Sequence, residues 1–383
     1  MSGKVMVVTG ELSGDQRAAE VVEEIKRLNP GVEFFGMGSD RLKEQSVEII
    51  IDPTEINSIG FLEAIKNYKA HKHNYDILKD AAQERRPDVF FLIDFSGFNI
   101  KMAKLGTRLG IPVVDYFPPS AWLWGEWRAR KMAKYGAVIA ANLPMERDIY
   151  RAKGAETVFV GHPLIDKIDI NLDNIELNEI FEIKDKEFPI ALLPGSRKEE
   201  IGKLLPLMIE TALKLKKDNS NYVFFIPAAN LKLADLIEDI LIKYPIKAKV
   251  VKDHTHLILK LVRFAIVASG TATLEAMILN TPMVIIYKTS NLTYHIAKLF
   301  YKKDYFGMPN ILSNSEIVPE VVQNDLTVDN IYKEARNILS KPYLMTDIKI
   351  KLVSASEKLG KKGAIHKTAK LVMREGNIDV LQR

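Results

Sequence analysis

Four short segments set ionisable side chains beside small, turn-forming ones: GELSGD (10–15), DFSGFN (94–99), PGSRKEE (194–200) and SGTATLE (269–275). Each follows an apolar run of strand character, and in open α/β sheets ligands bind just beyond the carboxyl ends of the strands. In DFSGFN, Asp94 ends the run VFFLIDF, where burial raises a carboxylate pKa toward the range of a useful general base. The competing reading makes Asp94 a structural cap for the helix that follows. GELSGD offers Glu11 as an alternative base facing a cleft, while Ser13 and Asp15 suit helix capping. In PGSRKEE the glycine permits a tight turn from which Arg197, beside Ser196, can project a bidentate fork onto phosphate oxygens. Paired with Glu200 instead, Arg197 would mark only a helix start. In SGTATLE, the residues Ser269, Gly270 and Thr271 open a helix whose first amides can take an anion. Glu275 lies one turn further on the same face, at the reach of a ribose diol. Two such loops in one half of the chain predict a pyrophosphate clamp.

To position these loops the chain must alternate strands with helices, and its pattern does so. VMVVTG, FFGMG, VFFLIDF, VVDYF, AVIAAN and VFVGHP form a first series, and PIALLPGS, YVFFIPAA, KAKVVKD, FAIVAS and PMVIIYK a second. Near-continuous apolar strands of this kind belong to parallel sheets covered on both faces. The first helix shows its stripe in Ala18, Val22, Ile25 and Leu28. The expected fold class is α/β, with two doubly wound Rossmann-like domains and a helical C-terminal region. The boundaries read as 1–165 for an acceptor- and membrane-facing domain, 166–187 for an acidic linker, 188–325 for a nucleotide domain and 326–383 for a helical tail packing on the first domain or a partner.

All three tryptophans, Trp122, Trp124 and Trp127, fall in PPSAWLWGEWRARKMAK together with Arg128, Arg130 and Lys131. Rings beside cations suit a lipid headgroup boundary or a phosphorylated acceptor, with core packing as the plainer use of at least one ring. Ser13 joins this acceptor-facing set. A second basic and apolar stretch, 56–79, is a further candidate membrane dock. With no cysteine in the chain, disulfides and thiolate chemistry are excluded and a reducing, cytoplasmic compartment is expected. No run reaches the roughly 20 apolar residues of a spanning helix. The pairs His71/His73 and His254/His256 lack zinc-ligand spacing and read as solvated, so neither metal nor organic cofactor is expected. His162 either lines the cleft or serves the structure. Nucleic acid is disfavoured, because the cations lie beside phosphate-loop chemistry and no recognised binding module is present.

Taken in order, GELSGD, IGFLEAI, DFSGFN, PPSAWLW, VGHPL, LLPGSRKEEI, ASGTATLEA, PMVIIYK and MPNIL with VPE resemble the motif series of the bacterial lipid-A-disaccharide synthases, from about residue 5 to residue 323. That resemblance implies the GT-B architecture and an inverting transfer that joins UDP-2,3-diacylglucosamine to 2,3-diacylglucosamine 1-phosphate with release of UDP. It also implies peripheral association with the inner membrane's cytoplasmic face, and a C-terminal region that can mediate a homodimer. On this footing Arg197, Glu275 and Asn310 would hold the UDP, and Asp94 would occupy the catalytic aspartate position. Two departures stand out: the family's Asp-Ala-Pro-Asp-Phe-Asn is here DFSGFN, without a second carboxylate, and its Ser-Pro-Ser-Val-Trp is Pro118-Pro119-Ser120-Ala121-Trp122. Within the same frame, a UDP-sugar 2-epimerase and a peptidoglycan-type transferase are the alternatives.

Overall fold

The computed structural model describes residues 3–56, 61–168, 171–288 and 305–381. Thirteen strands are seen among them, in two sheets. The first sheet is built from β1 (Lys4–Thr9), β2 (Glu33–Met37), β3 (Glu48–Ile51), β4 (Val89–Ile93), β5 (Val113–Tyr116), β6 (Val138–Ala141) and β7 (Thr157–Phe159). Its spatial order is β3-β2-β1-β4-β5-β6-β7, with every pairing parallel. The second contains β8 (Phe188–Leu193), β9 (Tyr222–Ala228), β10 (Ala248–Lys252), β11 (Phe264–Ala268), β12 (Met283–Tyr287) and β13 (Glu320–Val322), in the order β10-β9-β8-β11-β12-β13, again all parallel. Each order reverses once, between β1 and β4 in the first sheet and between β8 and β11 in the second. These switch points are where an open parallel sheet leaves a crevice for ligands.

Alternation along the strands explains why both faces are covered. In β1, Val5 and Val7 join a core with Ala18, Val22 and Ile25 of the helix Leu12–Leu28, while Met6 and Val8 join Leu78, Met102 and Leu105 on the other side. Side chains at successive strand positions point to opposite faces, so a run of buried residues needs helices above and below.

The chain divides into two compact units, Met1–Asp166 with Leu359–Arg383, and Lys167–Lys358. This corrects two sequence boundaries. The segment expected as a linker, 166–187, carries the helix Asn174–Ile180, capped by Asp173 and Glu176 in a reciprocal capping box, and Leu177 and Phe181 are buried in the second unit. Phe181 packs edge-on to Phe225 of β9. The helical tail is likewise divided. Helices Val328–Leu339 and Pro342–Glu357 stay with the second unit, whereas Ala364–Glu375 packs on the helix Leu12–Leu28 and places Ala369, Leu371, Val372 and Met373 in the first core. Asp166 accepts from the Gly363 amide at 2.5 Å and the Ile365 amide at 3.0 Å, which caps that returning helix.

Candidate active site

In the first unit the two loops at the switch point meet. Asp94 follows β4 directly, and its amide still donates to Tyr116 O at 3.2 Å while its backbone turns left-handed, at φ 45°. Such a conformation is uncommon away from glycine and re-aims the side chain out of the sheet. Gly14 sits in the first turn of the helix after β1. A Cβ there would lie 2.4 Å from Thr9 Oγ1 and 3.6 Å from the Asp94 Cβ, so the glycine lets the helix start close against both strand ends. From this helix Arg17 donates to Asp94 Oδ2, and its guanidinium lies 3.9 Å from the centroid of the Phe117 ring. Burial raises the Asp94 pKa from its ordinary value, with Glu11 adding to the rise and Arg17 and Ser13 opposing it. The helix Ser96–Leu109 has Phe95 at its N-cap and no side-chain cap bond, so Asp94 is not its cap.

Glu11 is the N-cap residue of the helix Leu12–Leu28, exposed and without a side-chain cap bond, and Ser13 is exposed in the first turn instead of capping. Asp15 is buried and does cap, but at another helix: it accepts from the Ser39 and Arg41 amides at 2.6 and 2.9 Å, at the start of Asp40–Glu44.

Sequence reasoning missed several polar groups beneath this loop. Asp115 of β5 is fully buried and accepts from Asn99 Nδ2 at 3.0 Å, and burial lifts its pKa well above the carboxylate range. Asp115 Oδ2 and Asn99 Oδ1 are buried with no hydrogen-bond partner. Glu146, at the start of the helix Pro144–Ala152, accepts from the Asn142 and Leu143 amides at 3.0 and 3.1 Å, and burial pushes its pKa up to about 7. Asn142 accepts from the Phe117 amide at 3.3 Å and donates to Gly161 O at 3.1 Å. His162 is buried, with its ring edge-on to Phe117 and its Nδ1 accepting from the Leu164 amide at 3.3 Å, a structural arrangement.

The second unit presents the other two loops at its own switch point. Gly195 after β8 has φ 110°, and a Cβ there would stand 2.4 Å from Glu200 Oε2, so only glycine allows the turn. Arg197 is the N-cap residue of Lys198–Asp218, with its side chain 81% exposed and Glu200 at 3.4 Å. An exposed pair of this kind contributes about 0–1 kcal/mol, which leaves the guanidinium available to a stronger anion. Ser196 is exposed beside it.

After β11, the Ser269 amide donates to Ile286 O at 2.8 Å and its hydroxyl to Phe306 O at 3.1 Å. Gly270 is the N-cap residue of Thr271–Ile278, and Thr271 is exposed at its start. Glu275 Oε1 lies 3.5 Å from His256 Nε2, so His256 is not simply solvated as its sequence context suggested. Asn310 also differs from expectation. It is fully buried, donating to Val318 O and Glu320 Oε1, both at 2.8 Å, and accepting from the Ile317 and Val318 amides at 2.8 and 3.0 Å. An amide has two donors and two lone pairs, and all four are engaged.

The tryptophan segment divides by burial. Arg128 is only 6% exposed, stacked at 3.9 Å on Trp124 and donating to Trp124 O at 2.7 Å, so it braces the segment rather than facing lipid. Trp122 is half-buried, and its Nε1 is buried without a partner. Trp124, Trp127, Arg130 and Lys131 are exposed, with the Lys131 ammonium 4.6 Å from the Trp127 ring centroid. For the 56–79 stretch, the side chains up to residue 69 lie outside the described residues. No helix among the described residues is long and apolar enough to cross a membrane.

Two parallel, doubly wound α/β units with loops of this chemistry at each switch point define the GT-B class shared by glycosyltransferases and UDP-GlcNAc 2-epimerases. The fold aligns with UDP-GlcNAc 2-epimerase from Neisseria meningitidis bound to UDP-GlcNAc, at TM-score 0.64 and 15% identity over 97% of this chain and 100% of that one. It aligns also with a glycosyltransferase from Rickettsia africae, at TM-score 0.59 and 14% identity over 98% of both chains. Within this class the sequence is more particular. Residues 5–371 match the family model described as lipid-A-disaccharide synthetase. The lipid-A-disaccharide synthase of Geobacter sulfurreducens is 32% identical over 372 residues, 97% of each chain, and that of Syntrophus aciditrophicus is 32% identical over 370 residues, 96% of this chain and 97% of that one. The chain belongs to the lipid-A-disaccharide synthetase family, and it is a glycosyltransferase.

Proposed function

We propose that this enzyme transfers the 2,3-diacylglucosamine of its UDP-sugar to the 6-hydroxyl of 2,3-diacylglucosamine 1-phosphate, releasing UDP and forming a β-1,6 disaccharide 1-phosphate. The observation that carries the mechanism is Asp94: a carboxylate at the switch point, made more basic by burial and held by Arg17. The acceptor oxygen bonds to the anomeric carbon as the bond from that carbon to the diphosphate breaks. The hydroxyl proton passes to Asp94, and the leaving electron pair goes to UDP. Glu11, exposed nearby, is the alternative base.

On the second unit, Ser196 and Arg197 and the amides of Ser269, Gly270 and Thr271 take the diphosphate, and Glu275 the ribose. Arg197 and the helix start at Thr271 stabilise the charge that develops on the leaving group. Asn310, with its amide engaged, serves the donor site through the turn at Phe306 and Gly307, whose amides donate to Glu320. That turn connects to the SGTA loop through Ser269 Oγ and Phe306 O.

Trp124, Trp127, Arg130 and Lys131 support peripheral docking on the cytoplasmic face of the inner membrane. Exposed Tyr343, Ile350 and Val353 on one face of Pro342–Glu357 support pairing with a second copy. The epimerase reading has in its favour only a likeness of fold. The test is direct: incubate the protein with both acylated sugars and weigh the products. The disaccharide 1-phosphate and UDP in equal amounts are expected, and turnover only with a different acceptor would contradict the proposal.

A further inference from the structure

Arg17 is not part of any loop that sequence reasoning associated with chemistry, yet it touches the candidate base. Its guanidinium pairs with Asp94 Oδ2 while its face lies over Phe117, a contact geometry that needs a planar, delocalised cation. The pair is partly enclosed, with the two side chains 25% and 36% exposed. Both partners of the cation sit at strand ends with left-handed backbones, Asp94 at φ 45° and Phe117 at φ 53°. For a bulky residue such as Phe117 this is a costly conformation, and it puts the ring where the guanidinium lies.

We propose that Arg17 is the positioning residue for the base: by holding Oδ2 it fixes the rotation of the Asp94 carboxylate and keeps it ionised, so that Oδ1 takes the acceptor hydroxyl's proton. This rests on the reading of Asp94 as general base. The hydroxyl proton moves to Oδ1, the new C–O bond forms, and the pair of the broken C–O bond leaves with UDP. Arg17 neither gains nor loses a proton.

The charges around Asp94 show why one cation is needed. Glu11 at the start of Leu12–Leu28, Asp115 on β5 and Glu146 on Pro144–Ala152 are all carboxylates that interact with it, and the neutral Ser13 favours its charged form. His71 on Phe61–Arg85 packs edge-on to Phe95 with its ring centroid 5.5 Å away, and burial together with Lys101 lowers its pKa. Among the described residues, Arg17 is therefore the cation that opposes burial and the surrounding negative groups at Asp94.

The test uses the full-length enzyme and compares pH profiles of kcat and kcat/KM for the wild type, Arg17→Gln, Arg17→Lys and Asp94→Asn, with thermal unfolding followed in parallel. Loss of the cation should raise the acid limb of the Arg17→Gln profile by about one pH unit or more. Its kcat at neutral pH should fall at least about tenfold, with KM for the UDP-sugar little changed. Arg17→Lys, which keeps charge but not the planar stack, should fall between. A wild-type acid limb and kcat in Arg17→Gln overturn the proposal while leaving the base intact. An acid limb that survives Asp94→Asn removes the base and this proposal with it. If Arg17→Gln does not fold, Arg17→Lys decides through kcat: a wild-type kcat there contradicts the positioning role, and a lowered kcat in a folded enzyme with a little-moved acid limb supports it.

Discussion

Asn310 donates to Glu320 Oε1 at 2.8 Å, and the same carboxylate receives the amides of Phe306 and Gly307 at 2.7 and 2.9 Å. A fully engaged side-chain amide thus holds the turn that Ser269 also grips. Asn310→Ala removes a buried amide with four bonds, three of them fully buried, and each group left unsatisfied costs about 1–3 kcal/mol. The variant should lose at least about 2 kcal/mol of stability in denaturant titration, with UDP affinity falling alongside. Weaker UDP binding at unchanged stability would instead make Asn310 a direct contact.

Arg197 should behave in the opposite way. Its side chain is 81% exposed and pairs loosely with Glu200 at 3.4 Å, so Arg197→Ala should leave the melting temperature in place. UDP binding measured by calorimetry should weaken by about 1.5–3 kcal/mol, the worth of a charged hydrogen bond. Unchanged affinity removes Arg197 from the donor site.

The tryptophan segment separates a brace from a surface. Arg128→Ala should destabilise the first unit, because it removes a buried side chain that stacks on Trp124 and bonds to Trp124 O. Reversing Arg130 and Lys131 to glutamate should leave stability alone and reduce binding to anionic vesicles, an effect that salt should mimic, since the Debye length is about 8 Å at physiological ionic strength. Vesicle flotation reads this directly, and binding indifferent to both changes would contradict an electrostatic dock.

Glu24, on the helix Leu12–Leu28 where the returning C-terminal helix meets it, brings an acid sensitivity. Glu24, bonded first by Arg27 and also by His366, has its pKa lowered to about 2 from an ordinary value of 4.5. A depressed carboxylate contributes stability that is fully present above its unfolded pKa and is lost as pH falls through the folded one. Wild-type stability should therefore decline between about pH 4.5 and 2 more steeply than that of Glu24→Gln. Parallel slopes in urea titrations at several pH values would show that Glu24 contributes nothing there.

How much of this was readable in advance follows from which signals are local. Strands such as VFFLI and FAIVA announce themselves, so the sheets and the four loops at the switch points were legible. β3 and β13 did not register, because each opens on a glutamate that breaks its short apolar run. Arg17 went unseen because its partner lies 77 residues away. The sequence offered the first domain or a partner for the tail, but not the point of return near residue 359, because that packing spans the length of the chain. Asp115 interrupts an apolar run, and that interruption was the available signal for a buried acid. Arg128 shares a helical face with buried Met132, an i,i+4 cue to its burial that the tryptophans overshadowed.

The central claim is that Asp94 takes the acceptor's proton, and kcat of Asp94→Asn measures it most directly. The amide keeps the side chain's size and can still meet Ser13, but it has no basicity. With both sugars saturating, kcat should fall about 10²–10⁴-fold, while UDP affinity and melting temperature hold. A kcat equal to the wild type's in a folded Asp94→Asn enzyme would contradict the account and pass the role to Glu11.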